Sequence, residues 1–452
     1  VVVYPYIPHT DEDREMMMQA IGIQSLEELY GDLGEDILLS DSVPISQGRS
    51  EDEVIRMVES IANRNERGIP FLGSGCYDHI IPSTVDAIAS LPSFVTSYTP
   101  YQAEMSQGML QVIYEFQSMI CQLTGMDVSN ASMYDGANAL VEAANICVSF
   151  ARGKHEVLVS PTIHPFALKV LQTWALGTEH RLVMLPEKNG VCDTSALGGM
   201  LGGNVGGVLV QSPNRYGFLE DYTGLSDIIH ASGALLCVSA DPMSLGMQKS
   251  QREWGADIAV GDTQPFGIPL SFGGPGCGYL AVVEPLLRKM PGRIVGATTD
   301  GKGNRGFVLT MQAREQHIKR ERATSNICTN NSLAALMTTV YLSSVGWLGV
   351  KEAAHQCYVK SHYLEENLIT LGGVELAWEQ PFWCEFPLRF HDTKKMRKFI
   401  QELRNEHLFA GVRLQALTRC NEDELVLLVA VTEKRSREEI ENYLAGARRV
   451  LR

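Results

Sequence analysis

Between residues 150 and 290 the chain alternates short, nearly continuous apolar runs with segments of helical period, and this pattern narrows the fold more than any other. The runs are Glu156–Ser160, Arg181–Leu185, Val205–Gln211, Ala234–Ser239, Asp257–Gly261 and Gly278–Val283. A strand with one wet face alternates apolar and polar residues, whereas a strand apolar throughout is covered on both faces. Helical segments between such strands supply that cover. The expectation is a mainly parallel, wound α/β sheet, with ligands bound beyond the carboxyl ends of its strands.

The flanks differ from this core. The first sixty residues are helical in pattern and acidic, with Thr10 and Ser25 placed as N-caps ahead of carboxylates, which predicts a helical arm over 1–65. Residues 71–108 break into Gly-, Pro-, Ser- and Tyr-rich loops before a long amphipathic segment begins at Ser106, and loops of that length are usually functional. The wound domain is assigned to 66–325. Past Ser325 a long apolar helix, Ser332–Leu342, leads to helices and strands such as Leu425–Val431, read as a smaller C-terminal α+β domain over 326–452. A chain of 452 residues has room for two lobes and an arm.

The formal charge of −15 and the scattered basic residues exclude a footprint for phosphate backbones or anionic lipid. No nucleic-acid or membrane partner is expected. Ten cysteines occur without a C-x-x-C pair or a His-flanked knuckle, so no metal site is expected and buried free thiols are the reading. The opening Val1–Pro5 shows no charged-then-apolar leader, and the expectation is a cytoplasmic protein.

Four segments follow strands or open helices where chemistry would sit. In Gly125–Ala139 a small-residue loop opens a helix whose N–H groups could cradle a phosphate, but Asp135 stands where that anion would lie. The plain alternative is Asp135 as an N-cap. His164 and Asp241 each follow a strand; a ring-stacking imidazole and an acid for a pyridinium nitrogen are what a pyridoxal cofactor requires, although either is also ordinary loop chemistry. In Gly261–Leu280 such an enzyme needs a lysine at the strand end for its Schiff base, and Gln264 is there instead. Lys249 and Lys289 read as helical and exposed. Finally, Thr324, Ser325 and Asn326 offer hydroxyl and amide donors, either as a cap for the long helix or as a phosphate contact reaching a neighbour.

Over almost its full length the sequence resembles the lysine-less first subunit of the two-subunit glycine decarboxylases. The resemblance lies in Gly75–Pro82, Tyr98–Gly108, Thr124–Gly136 and Ala323–Thr329, four long motifs in order. It implies a fold-type-I pyridoxal-phosphate, aminotransferase-like architecture and a sister subunit carrying a His-Lys dipeptide where Thr263 and Gln264 stand here. It further implies an oxidoreductase that decarboxylates glycine and passes the aminomethyl carbon to the lipoyl group of the H-protein, assembled as α₂β₂. Pyridoxal phosphate would be bound covalently by the sister, and not by this chain. Tyr98, Tyr101, Gln102 and Glu104 would border the sister's substrate channel, and Thr324, Ser325 and Asn326 would lie near its cofactor phosphate. Asp135, His164, Asp241 and Gln264 would be relics of the chain's own site.

Two other readings compete. A self-sufficient pyridoxal decarboxylase or aminotransferase is opposed by Gln264, because an amide cannot form an imine. A catalytically silent regulatory or scaffold protein of the same fold predicts that Tyr98 and Tyr101 are dispensable.

Overall fold

The computed structural model describes residues 6, 8–34, 36–39, 46–150 and 153–451, so the reading of Val1–Pro5 falls outside it. The chain divides into two compact units, Val1–Glu66 and Arg67–Arg452.

In the first unit α1 (Asp11–Ile21) opens on a capping box: Asp13 N donates to Thr10 Oγ1 at 3.1 Å, and Thr10 N donates to Asp13 Oδ2 at 2.8 Å. Three carboxylates in its first turn complement the helix dipole. Ser25 also opens a capping box, but the element it starts is a short 3₁₀ helix, Leu26–Tyr30, and not an α-helix. Gly31 and Gly34 come within one turn of its end, which leaves no length for α-helix propagation. Ser50 then caps α2 (Glu51–Ala62), on which Val54, Ile55, Val58 and Ile61 share one face.

The second unit is built on a seven-stranded sheet. Its strands are β1 (Val128–Ser129), β2 (Glu156–Val159), β3 (Arg181–Met184), β4 (Val205–Gln211), β5 (Leu235–Ser239), β6 (Ile258–Asp262) and β7 (Gly278–Val282), in the order β1-β7-β6-β5-β4-β2-β3. The contacts from β6 through β3 are parallel; β7 runs antiparallel to both β6 and β1. All seven residues of β4 are buried or nearly so. The fold is thus a mainly parallel wound sheet with one reversed strand, as the apolar runs require.

The stretch 71–108 is less irregular than its composition predicts, for it contains two short helices, α3 (Ser83–Ala89) and α4 (Pro92–Val95). Pro82 and Pro92 sit at helix starts, where a missing N–H costs nothing. The long amphipathic segment is α5 (Gln107–Thr124), and α6 (Gly136–Phe150) covers the sheet. That helix lies close on β4: a Cβ on Gly207 would fall 2.3 Å from Cys147 Sγ, so no side chain fits there.

A hairpin, β8 (Ile294–Thr299) with β9 (Arg305–Thr310), precedes α7 (Ser332–Leu371). Gly346, at φ 60° and ψ −177°, breaks α7 with a conformation only glycine adopts without strain. Among the described residues α7 is the one helix long and apolar enough to cross a membrane. Its Ala354, Cys357, Leu364 and Leu368 are fully buried, however, and it serves as a core helix. The chain closes with an antiparallel sheet, β10 (Val374–Leu376), β11 (Glu385–Phe390), β12 (Val412–Arg413) and β13 (Val426–Ala430), in the order β10-β11-β13-β12. Helices Thr393–Asn405 and Arg437–Leu451 pack on it. Of the ten cysteines, Cys76, Cys328 and Cys420 are exposed and the rest are buried or half-buried; none forms a disulfide.

Candidate functional site

The amino end of α6 meets the carboxyl end of β6, and the segments after β2 and β5 carry the other candidate groups. Asp262 ends β6, and its carboxylate is held by three backbone donors. Gly136 N reaches Oδ2 at 3.0 Å, while Gln264 N and Cys277 N reach Oδ1 at 2.9 and 3.3 Å. Burial raises the Asp262 pKa against these bonds, which stabilise the charged form. Gly136 lies close on the end of β6: a Cβ there would sit 3.1 Å from the Gly261 carbonyl carbon, so the two elements would have to move apart by a few tenths of an ångström.

Asp135 takes the next position: its Oδ1 accepts Asn138 N at 2.8 Å, the N-cap geometry. The anion-ready end of α6 therefore meets two internal carboxylates, and the one on its first amide belongs to Asp262, which the sequence reading overlooked. Asp262 closes an apolar run, the same strand-end signal that marks Asp241, but the reading there rests on the lysine position two residues on.

Gln264 lies just past Asp262. Its amide nitrogen donates to Ile268 O at 2.9 Å and Tyr77 O at 3.3 Å, and its amide oxygen accepts from Cys76 Sγ at 3.6 Å. Beside it, Thr263 is fully buried and donates to Cys277 O at 3.0 Å. His164 Nε2 and Ser74 Oγ are 3.0 Å apart, Phe166 N donates to His164 Nδ1 at 3.3 Å, and burial lowers the imidazole pKa. Asp241, after β5, accepts Met243 N at 2.8 Å, and burial lifts its carboxyl to about 6.

The loop Gly73–Pro82 joins these groups to the closing sheet. Glu385, buried and lifted by burial to about 7, accepts Ser74 N at 2.6 Å and the Tyr77 hydroxyl at 2.9 Å. Asp78 pairs with Lys434 at 2.6 Å and Arg435 at 3.0 Å. His79 Nδ1 pairs with Glu433 Oε2 at 2.8 Å, both side chains being buried. Burial lowers the His79 pKa, but the Glu433 hydrogen bond and charge leave it raised overall; Glu433 is correspondingly depressed. Each of these partners lies more than 300 residues from the loop, so sequence spacing gave no signal for them.

The other two candidate segments stand apart, sharing no hydrogen bond with Asp135, His164, Asp241 or Gln264 among the described residues. In the first, Tyr98 and Tyr101 are 80% and 65% exposed, and Gln102 and Glu104 are exposed too. Beneath them lies Arg293, only 3% exposed: its guanidinium stacks on Tyr101 with 5.4 Å to the ring centre and donates to Thr99 Oγ1 at 3.3 Å. In the second, Thr324 and Asn326 are exposed, Asn145 Nδ2 donates to Thr324 O at 3.2 Å, and Ser325 Oγ accepts Ile327 N at 3.1 Å. This cluster does not cap the long helix. α7 begins at Ser332 after Asn331, whose amide reaches back to Tyr134 O and Gly276 O at 2.9 and 2.7 Å. The lysines differ from expectation as well: Lys249 lies in a loop, and Lys289 is half-buried in a turn, donating to Ser149 O at 2.9 Å.

The wound sheet with its reversed strand, the closing antiparallel sheet and a polar cluster at the strand ends define a fold-type-I pyridoxal-phosphate-enzyme architecture. The glutamate decarboxylase of Lactobacillus brevis shares it at a TM-score of 0.68 with 10% identity, over 92% of this chain and 96% of that one. The family described as Glycine cleavage system P-protein matches residues 4–446, and the chain belongs to it. It is 47% identical over 442 residues to the probable glycine dehydrogenase (decarboxylating) subunit 1 of Carboxydothermus hydrogenoformans, covering 97% of this chain and 98% of that one. The subunit 1 of Anoxybacillus flavithermus is 44% identical over 448 residues, 98% of each chain. A crystal structure of a glycine decarboxylase (P-protein) of the glycine cleavage system in inhibitor-bound form superposes at a TM-score of 0.88. Its identity is 37%, over 99% of this chain and all of that one.

Proposed function

We propose that this chain is the non-lysine subunit of a glycine dehydrogenase (decarboxylating), catalytically complete only when paired with a lysine-bearing sister. The observation that carries this reading is its own pocket. Where a Schiff-base lysine is required the chain has Gln264, and where a cofactor phosphate would meet the amide of Gly136 it has the Asp262 carboxylate. A dianion placed beside Asp262 and Asp135 would be repelled in a site of low dielectric. These residues do not fit a resident pyridoxal phosphate, and no catalytic step runs through one in this pocket. His164 and Asp241 are retained parts of that lost site.

Pyridoxal phosphate is then held covalently by the sister, whose decarboxylation of glycine delivers an aminomethyl group to the lipoyl arm of the H-protein. The exposed Tyr98–Glu104 loop, fixed from below by Arg293, borders the sister's channel and excludes water there. Thr324, Ser325 and Asn326 lie near the sister's cofactor phosphate. The assembly is α₂β₂ and cytoplasmic. The three segments 1–65, 66–325 and 326–452 act as arm, large domain and small domain.

The test is absorbance in the region of a lysine-bound pyridoxal band, together with glycine–bicarbonate exchange, for this chain alone and after mixing with the sister. A band and exchange only in the mixture support the reading. A borohydride-reducible adduct on the isolated chain would overturn it. Full exchange by the sister alone would favour the silent scaffold instead.

A further inference from the structure

Phe272 is 104% exposed, the most exposed large apolar side chain among the described residues. Its ring is as open to water as in an extended peptide, so the fold gains nothing from it. The backbone beneath it is costly as well. Ser271 and Phe272 stand at φ 41° and 59°, followed by Gly273 at 116° and Gly274 at 154°. Glycine takes such angles freely, whereas a Cβ there crowds the neighbouring carbonyl, and a bulky side chain is a strained exception. Strain of this kind persists only where the surrounding structure enforces it, and it gathers at sites that bind.

Both ends of the loop 270–276 supply that enforcement. On the entering side Phe266 is fully buried and stacks on Tyr341 with 5.5 Å between ring centres. Ile268 N donates to Gln264 O at 3.2 Å, and the Gln264 side-chain amide donates to Ile268 O at 2.9 Å. On the leaving side Asn331 Nδ2 donates to Gly276 O at 2.7 Å and Cys277 N to Asp262 Oδ1 at 3.3 Å. Within the loop Gly273 N donates to Leu270 O at 2.8 Å. A ring projecting from roots held in this way has little backbone freedom left to lose on binding, which favours a tight contact. Asn331 stands at the start of α7 and ends the stretch that runs from Thr324. Its bond to Gly276 therefore makes the loop continuous with the segment that the function proposed above turns toward the sister subunit.

We propose that Phe272 is an anchor residue for the lysine-bearing sister subunit, its ring seated in an apolar socket on that chain. This rests on the function proposed above, which supplies the sister as the partner and gives the neighbouring segment to that face. A wholly exposed aromatic side chain that becomes buried is the kind of contact that dominates an interface, through its area and through the water its surroundings exclude. The strain at Ser271 and Phe272 presents the ring and is offset on assembly.

The experiment measures the dissociation constant of the full chain with the sister by sedimentation, beside urea unfolding of the chain alone. Phe272→Gly removes ring and strain together, so the two readouts should part: the pair about 10–100-fold weaker, the urea midpoint of the isolated chain no lower than native. A merely structural residue would lower that midpoint. Phe272→Leu keeps apolar bulk and should fall between native and Phe272→Gly. Ser271→Gly relieves strain while keeping the ring, and should leave pairing within about threefold of native. Pairing of Phe272→Gly within twofold of native would overturn the anchor. An equal loss in Ser271→Gly would overturn it as well, by assigning the effect to loop conformation. Self-association of this chain that weakens in Phe272→Gly while the pair is unmoved would make the occupant a second copy, and also overturns it. Full glycine–bicarbonate exchange by the sister alone sinks the function proposed above, whereas a dissociation constant unmoved by Phe272→Gly sinks only the anchor.

Discussion

The carboxylate Oδ2 of Asp262 accepts the N–H of Gly136 at 3.0 Å, so the first free amide of a fifteen-residue helix is committed to the end of the adjacent strand. A helix amino terminus attracts an anion through its unpaired donors and its dipole. Here the chain supplies that anion itself. On the function proposed above, the strand end that carries Gln264 in place of a lysine also fills the position of a cofactor phosphate with its own carboxylate.

Restoring the lysine alone is consequently not enough. Gln264→Lys, incubated with pyridoxal phosphate and borohydride, is expected to yield no stable adduct, whereas Gln264→Lys combined with Asp262→Ala should yield one by mass spectrometry. An adduct on the single variant at stoichiometric yield would show that Asp262 is no obstacle.

The His79–Glu433 pair is buried on both sides and ties the Gly73–Pro82 loop to the segment after β13. Glu433→Gln removes the charge that holds the buried His79 protonated and should cost more than the ~1 kcal/mol of an exposed pair in urea unfolding, with faster amide exchange across the loop. Because the folded His79 pKa is raised, its contribution is lost as pH rises through that value; because Glu433 is depressed, its contribution is lost as pH falls through its own. The pair's stabilisation is therefore greatest between the two. A destabilisation under about 1 kcal/mol, the level of an exposed pair, would refute the role.

Glu385 gives an opposite sign from the usual carboxylate. Burial lifts it from an ordinary 4.5 to about 7, so the folded state holds its proton more tightly than the unfolded one. Its stabilising contribution is complete below about pH 4.5 and is lost as pH rises through about 7. Glu385→Gln keeps one acceptor, for Ser74 N, and turns its NH2 donor toward the Tyr77 oxygen, and should flatten the fall in Tm between pH 5 and 8. Asp241, at about 6, and Glu142, at about 7, add the same sign and leave a residual slope. Parallel Tm curves for variant and native chain would contradict the assignment.

Tyr101→Ala is expected to lower glycine turnover of the reconstituted pair while gel filtration shows assembly intact. Arg293→Met, which removes the stacking partner and the bond to Thr99, should reduce turnover by about 10–100-fold through the loop, since a small misplacement near reacting groups can cost that much. Turnover within twofold of native for both variants would favour the scaffold reading.

Much of the architecture was legible in advance because burial on both faces of a strand leaves a local trace. The six apolar runs became six strands, and His164, Asp241 and Gln264 each follow the carboxyl end of one of them. The 3₁₀ helix after Ser25 and the two helices inside 71–108 were less visible: capping signals and prolines mark where a helix starts, not how far packing lets it run. Of the two readings of Thr324–Asn326, the cap fails for a related reason, since α7 starts only after Asn331, whose amide bonds Tyr134 and Gly276, far away in sequence.

What the sequence determined by itself was composition-bound: a wound parallel sheet, a glutamine in the lysine position, and segments similar to one family. What only the tertiary structure decided was which charges meet. Asp262 on Gly136, His79 on Glu433, Glu385 on Tyr77 and Arg293 under Tyr101 each depend on desolvation and on partners distant in the chain. Hydrophobic patterning is written residue by residue, whereas the free energy of a charged or polar group is set by whatever surrounds it after the chain has folded.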